Sequence, residues 1–244
     1  MWIEIFLAII QSITEFLPIS SSGHLSLFSN LFSKPNLFFF TALHFASLFA
    51  VLIFTRKEIY NLISFNKDYR KMWTYLIIAT IPAALVGYLL QDYIEKSLSS
   101  FLFLGIAFIF TGFILLLTKF SVRKSKLNVG NSFIIGLFQA LAVFPGVSRS
   151  GMTISSSIFL GVEREKAIKF SFLLYIPLVL GAMILEIERF YFDFTLLLSF
   201  FICLFLSLIF LNLLFRVVKQ GYFWMFSFYC FIVGLISLSL YFFR

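Results

Sequence analysis

The sequence predicts an all-α integral membrane protein, with six transmembrane helices and two re-entrant helical hairpins arranged as an inverted-topology repeat. Three observations predict it. Of 244 residues, 61% are hydrophobic and 12% charged, against about 25% charged in a soluble domain. Six apolar runs approach the roughly 20 residues that a spanning helix needs. Two further apolar runs are too short to span, and each breaks at a polar turn rich in serine and glycine.

The first short run covers residues 5–14 and ends at Glu15, where the turn "EFLPISSSGHL" begins; a second short run, 25–32, leads away from it. The spans 37–54, 72–90 and 98–118 follow. Another short run, 131–144, meets the turn "PGVSRSGMT" and is followed by the short run 154–162. The spans 166–187, 194–215 and 221–243 complete the chain. Polar turns at membrane depth survive only when buried in protein or lining a wet cavity, so each short-run pair reads as a hairpin that enters and leaves on one side. Trp73 and Trp224 sit near span ends, as interfacial anchors do. Pro82 and Pro177 lie inside spans and read as kinks. Cys203 and Cys230 lie in apolar runs and read as packing residues, without a disulfide or a metal. The start, "MWIEIFLAII", carries Glu4 and no basic residue, which argues against a cleaved leader.

The two hairpins align with each other. Gln11 precedes Gly23 by the same twelve residues that separate Gln139 from Gly151, and Ser20, Ser21 and Ser22 then fall on Ser148, Arg149 and Ser150. Each hairpin is followed by three spans. The chain is thus expected to be one membrane domain, 1–244, made of a first repeat over 1–125 and a second over 126–244. Three spans per half invert the second half, and inverted repeats with broken helices place their working site near midplane. Charge agrees: thirteen of the nineteen basic residues, from Arg56 and Lys57 through Arg70, Lys119, Lys126 and Arg164 to Arg216 and Lys219, fall on one face of this topology. The positive-inside rule makes that face cytoplasmic. The net charge of +8 then reflects loops rather than nucleic-acid binding. The first hairpin enters from outside, the second from inside, and their tips meet.

Ionisable groups at membrane depth cost roughly 2.5–3.5 kcal/mol each on insertion scales, so Glu15, His24 and Arg149 need a function or partners. Arg149, flanked by Ser148 and Ser150 and followed by a helix start, suits a phosphate oxyanion. Ser20, Ser21 and Ser22 form a second anion nest opposite it, and two nests suit a diphosphate. His24 has the chemistry of a base or a nucleophile. Glu15 is able to hold a cation, orient His24 or deprotonate a serine. Gln11 shares its helix face. Thr153 completes the second cluster. His44, in mid-span, reads as an interior histidine held by its neighbours, and Lys169 as a snorkelling cation.

"QSITEFLPISSSGHL" and "FPGVSRSGMT" resemble the two signature motifs of the undecaprenyl-diphosphate phosphatase, or bacitracin-resistance, family, and the resemblance runs over essentially the whole chain. It implies hydrolysis of undecaprenyl diphosphate to undecaprenyl phosphate and inorganic phosphate, with a Mg or Ca ion. It implies a bacterial inner membrane, an active site opening to the extracytoplasmic side, and bacitracin competing for the lipid substrate. By position it assigns Glu15, Ser21, His24 and Arg149 to catalysis and Gln11, Ser20, Ser22, Ser148, Ser150 and Thr153 to the substrate, with Glu15 also at the metal. Gln11 departs from the commoner glutamate, which weakens a two-carboxylate metal site. His24 is the favoured actor at phosphorus, with Ser21 the other candidate. A flippase of undecaprenyl phosphate is the alternative function. Oligomeric state is left open, a homodimer being one arrangement.

Overall fold

The computed structural model describes residues 2–32, 37–64, 69–121, 125–186 and 193–243. Along them run α1 (Trp2–Thr14), α2 (Ser21–Phe32), α3 (Leu37–Phe54), α4 (Arg56–Ile63), α5 (Arg70–Leu89) and α6 (Gln91–Leu98). They are followed by α7 (Phe101–Leu117), α8 (Val129–Leu141), α9 (Arg149–Phe159), α10 (Arg164–Glu186), α11 (Phe194–Gln220) and α12 (Phe226–Phe243). No strand occurs among the described residues. Among the described residues five helices are long and apolar enough to cross a membrane, and a sixth span arises if α3 and α4, bent by 76° at Thr55, count as one. The chain is an all-α multi-pass membrane protein. Lys67, Arg123 and Lys124, which belong to the thirteen basic residues, and Ile187, the end of the expected span 166–187, lie outside the described residues.

The helices α1, α2, α8 and α9, which flank the two polar turns, have 13, 12, 13 and 11 residues, too few to cross about 30 Å of hydrocarbon. Their backbone ends are satisfied locally. Asn128 caps α8 through the Asn131 amide at 2.9 Å, and Ser148 caps α9 through the Gly151 amide at 3.1 Å. α11 stops at Gly221, whose φ of +90° takes the left-handed C-terminal position that glycine tolerates.

Packing interlocks the two parts of the chain. α1 lies on α11 and α8 lies on α5, while α3 meets α10 and α7 meets α12. Each short pair is therefore held by a span from the other part. Where hydrophobic drive between helices is weak, close backbone approach replaces it. Gly105 and Gly234 face each other across α7 and α12, and a Cβ on either would come within 3.0 Å of the other's carbonyl. A Cβ on Gly136 would fall 2.8 Å from the Ala79 carbonyl oxygen of α5, which is backbone and cannot swing away. Gly136→Ala is accordingly expected to cost about 1–3 kcal/mol by overpacking, measured as an earlier unfolding midpoint in detergent.

At the charged end, Lys169 does not stand alone. It pairs with Glu58 at 2.9 Å and with Glu165 at 3.2 Å, tying α4 to α10. Trp73 donates its ring N–H to the Leu62 carbonyl at 3.1 Å, and Lys119 lies 4.4 Å from the Trp224 ring centre. Cys203 and Cys230 are free and buried.

Candidate active site

The two polar turns meet. A Cβ on Gly23 would lie 2.8 Å from the Gly146 Cα, and the Ser150 hydroxyl reaches the Leu17 carbonyl at 3.4 Å. Each turn repeats one hydrogen-bond pattern at aligned positions. The Ser20 hydroxyl accepts from the Gly23 amide at 3.3 Å and lies 3.4 Å from the Ser22 hydroxyl. The Ser148 hydroxyl accepts from the Gly151 amide and lies 3.3 Å from the Ser150 hydroxyl. Both turns thus end in a capped helix whose N-terminus opens at the junction. Ser20 sits at φ +66°, a left-handed conformation that costs a non-glycine residue about 1–3 kcal/mol unless its surroundings enforce it.

A cavity of about 200 Å³ opens beside the junction. Its polar wall carries Glu15, Ser20, Ser21, Ser22, His44, Ser148 and Arg149, and its apolar wall carries Ala142, Val143, Val147, Leu178, Val179 and Ala182. Arg149 is the first residue of α9, and Nη2 donates to Glu15 Oε1 at 2.8 Å. Its Nη1 donates to the Ser171 carbonyl at 3.3 Å, and the guanidinium lies 4.1 Å from the Tyr175 ring centre. α10 thus supplies a platform that holds the fork flat. Glu15 Oε2 accepts from Ser21 Oγ at 2.6 Å and from Gln11 Nε2 at 2.9 Å. The same oxygen lies 3.1 Å from His44 Nδ1. Glu15 and Arg149 are both largely buried, and breaking such a pair costs more than forming it gains.

Of the residues singled out in the sequence, Glu15, Ser20, Ser21, Ser22, Ser148 and Arg149 line the cavity together. Gln11, His24, Ser150 and Thr153 do not. Gln11 touches Glu15 and His44 from behind. Thr153 bonds the Arg149 carbonyl at 2.9 Å and the Ser171 hydroxyl at 2.6 Å, fixing the first turn of α9 against α10. His24 departs most from expectation. Its Nδ1 lies 2.7 Å from the Ser20 carbonyl and its Nε2 lies 2.8 Å from the Tyr229 hydroxyl. A carbonyl only accepts, so Nδ1 carries the proton and, in the neutral ring, Nε2 accepts from the tyrosine. Both nitrogens are used, and the ring packs edge-on to Phe108 at 5.1 Å.

The imidazole at the cavity is His44, which the sequence reading set aside. Tyr175 and Ser171 were also missed. They stand four apart on α10, one helical face, and that spacing was the available signal.

A cation of the Mg or Ca class prefers several oxygen ligands. Glu15 is the acidic side chain of the cavity wall, and both its oxygens already take donors. No cluster of three His, Cys, Asp or Glu suited to a metal occurs among the described residues. These residues do not build a protein-only metal cage.

Comparison with known proteins agrees with the motifs. The family described as "Bacitracin resistance protein BacA" matches residues 4–236. A Thermosipho melanesiensis protein named undecaprenyl-diphosphatase is 42% identical, over 97% of this chain and 98% of its own. Proteins of the same name from Methanococcus vannielii and Korarchaeum cryptofilum are 38% and 36% identical. The first alignment covers 95% of this chain and 97% of that protein, the second 97% of each. With the match spanning nearly the whole chain and carrying both serine turns, the protein belongs to the bacitracin resistance protein BacA family.

Proposed function

We propose that the protein hydrolyses undecaprenyl diphosphate to undecaprenyl phosphate and inorganic phosphate, recycling a lipid carrier for cell-wall synthesis. The observation that carries this reading is the two-sided cavity. One wall offers two capped helix N-termini, four serines and an arginine, which suit a diphosphate. The other wall is aliphatic and suits the first units of a prenyl chain. Relatives named for this activity support the same reading.

In it, Arg149 and the serine turns hold the diphosphate and offset the charge that grows on its oxygens in the transition state. Glu15 holds Arg149 in place and accepts the Ser21 hydroxyl. His24 and Tyr229 keep the left-handed Ser20 turn in shape. A divalent cation, which the family resemblance implies, would be bound chiefly by the diphosphate itself, with at most Glu15 from the protein. No step here is routed through it. The two halves are read as inverted repeats whose hairpins enter from opposite leaflets, in line with the exchanged packing of α1 on α11 and α8 on α5. The location is a bacterial cell membrane with the cavity open to the extracytoplasmic side, and bacitracin competes by binding the substrate.

Detergent-solubilised protein given undecaprenyl diphosphate is expected to release inorganic phosphate, and bacitracin is expected to suppress the release in proportion to the lipid it sequesters. In micelles there is no second compartment, so a pure flippase would leave the phosphate count at background, and that result would refute the proposal.

A further inference from the structure

We infer that His44 is a catalytic residue of this site, the proton acceptor for the attacking oxygen. The inference rests on the phosphatase reading above and extends it.

His44 lines the cavity with its side chain 27% exposed, while His24 is buried and committed to Tyr229. His44 Nδ1 faces two atoms of opposite demand. Gln11 Nε2 only donates, and Glu15 Oε2 only accepts. With a proton on Nδ1, the ring donates to Glu15. With Nδ1 bare, the ring accepts from Gln11. Only with the proton on Nδ1, donated to Glu15, is Nε2 bare and able to accept one. Nε2 has no hydrogen-bond partner among the described residues. A carboxylate on one ring nitrogen and an open second nitrogen is the arrangement that orients an imidazole as a base.

The ring's place is fixed from outside. The Tyr175 hydroxyl donates to the His44 carbonyl at 2.9 Å, and Tyr175 also carries Arg149 on its face. One residue of α10 thus registers the imidazole against the guanidinium. The titratable and charged groups facing this segment are Glu15 at the α1–α2 turn, Arg149 on α9, Tyr175 on α10 and Cys203 on α11, whose thiol lies 3.5 Å from the Leu43 carbonyl.

The step balances. A water oxygen bonds to the terminal phosphorus, and one of its protons passes to His44 Nε2. The bond from that phosphorus to the bridging oxygen breaks, and its electron pair leaves on undecaprenyl phosphate. The imidazolium, held by Glu15, returns its proton to the released phosphate or to water.

The test is phosphate release by purified protein from undecaprenyl diphosphate across a pH series. His44→Gln is expected to lower kcat by about 10²–10⁴-fold, with KM within threefold of the wild type. A general base acts only in its unprotonated form, so the wild type is expected to lose kcat toward acid and His44→Gln to lack that loss. In His44→Ala, added millimolar imidazole should restore part of the rate. Wild-type release with an unchanged His44→Gln profile would overturn the inference. So would rate loss in both variants with the acid limb intact and no imidazole rescue, which marks a ring that only packs. Absence of release from the wild type would instead sink the phosphatase reading.

Discussion

Arg149→Ala should abolish most phosphate release, lowering kcat at least a hundredfold and on the order of 10³-fold, while also destabilising the protein. Two losses combine. Removing one preorganised donor from a developing oxyanion costs about 10²–10³ in rate, and an arginine on a transferring phosphoryl group is worth 10³–10⁵ elsewhere. Independently, Glu15 loses the cation 2.8 Å from its Oε1 in a largely buried place, and breaking a buried pair costs about 3–5 kcal/mol. The two are separable. Adding Glu15→Gln to Arg149→Ala removes the stranded charge, so the unfolding midpoint in detergent should recover while turnover stays lost. Arg149→Lys should fall between, because an ammonium cannot bond Glu15 and Ser171 together while lying flat on Tyr175. Near-normal release from Arg149→Ala would remove the guanidinium from the chemistry.

Gly23→Ala should damage both the fold and the rate. The new methyl would sit 2.6 Å from Phe108 Cζ, 2.8 Å from Gly146 Cα and 3.0 Å from Gly146 N. Two of these neighbours are backbone of the opposing turn, which itself stands at φ +91°. Phe108 is fully buried and packs against His24, so it has nowhere to go. The turns must separate by several tenths of an ångström, and the Glu15–Arg149 bond spans that gap. Overpacking costs about 1–3 kcal/mol. Displacement of reacting groups by about 1 Å costs roughly a hundredfold in rate, so a tenfold to hundredfold loss is expected here. Thermal unfolding and phosphate release measured on one preparation check both effects. A variant with parental stability and rate would show that the junction is looser than its atoms imply.

Spans and short-helix pairs were legible in the sequence because lipid imposes length and apolarity on every crossing segment. Ser20, Ser21, Ser22, Ser148, Glu15 and Arg149 were legible because polar residues in apolar sequence demand a reason. The two histidines are placed differently from the sequence expectation for a geometric cause. His24 adjoins the serine turn in sequence, but four residues after Ser20 the helix has made a full turn, and the ring points to Tyr229. His44 sits in an unremarkable apolar span, and only the seating of α3 against α10 delivers it to the cavity. Tyr175 was hidden for the same reason. Neighbourhood along the chain predicted the loops well and side-chain direction poorly.

The pairing of Glu15 with Arg149 also bears on how the chain is made. The acid emerges from the ribosome long before its counterion does, and the seven helices α2 to α8 are synthesised in between. Until the later segment arrives, the membrane holds a carboxylate without its mate, so the newborn first half is an unfinished object that only its own C-terminal half completes.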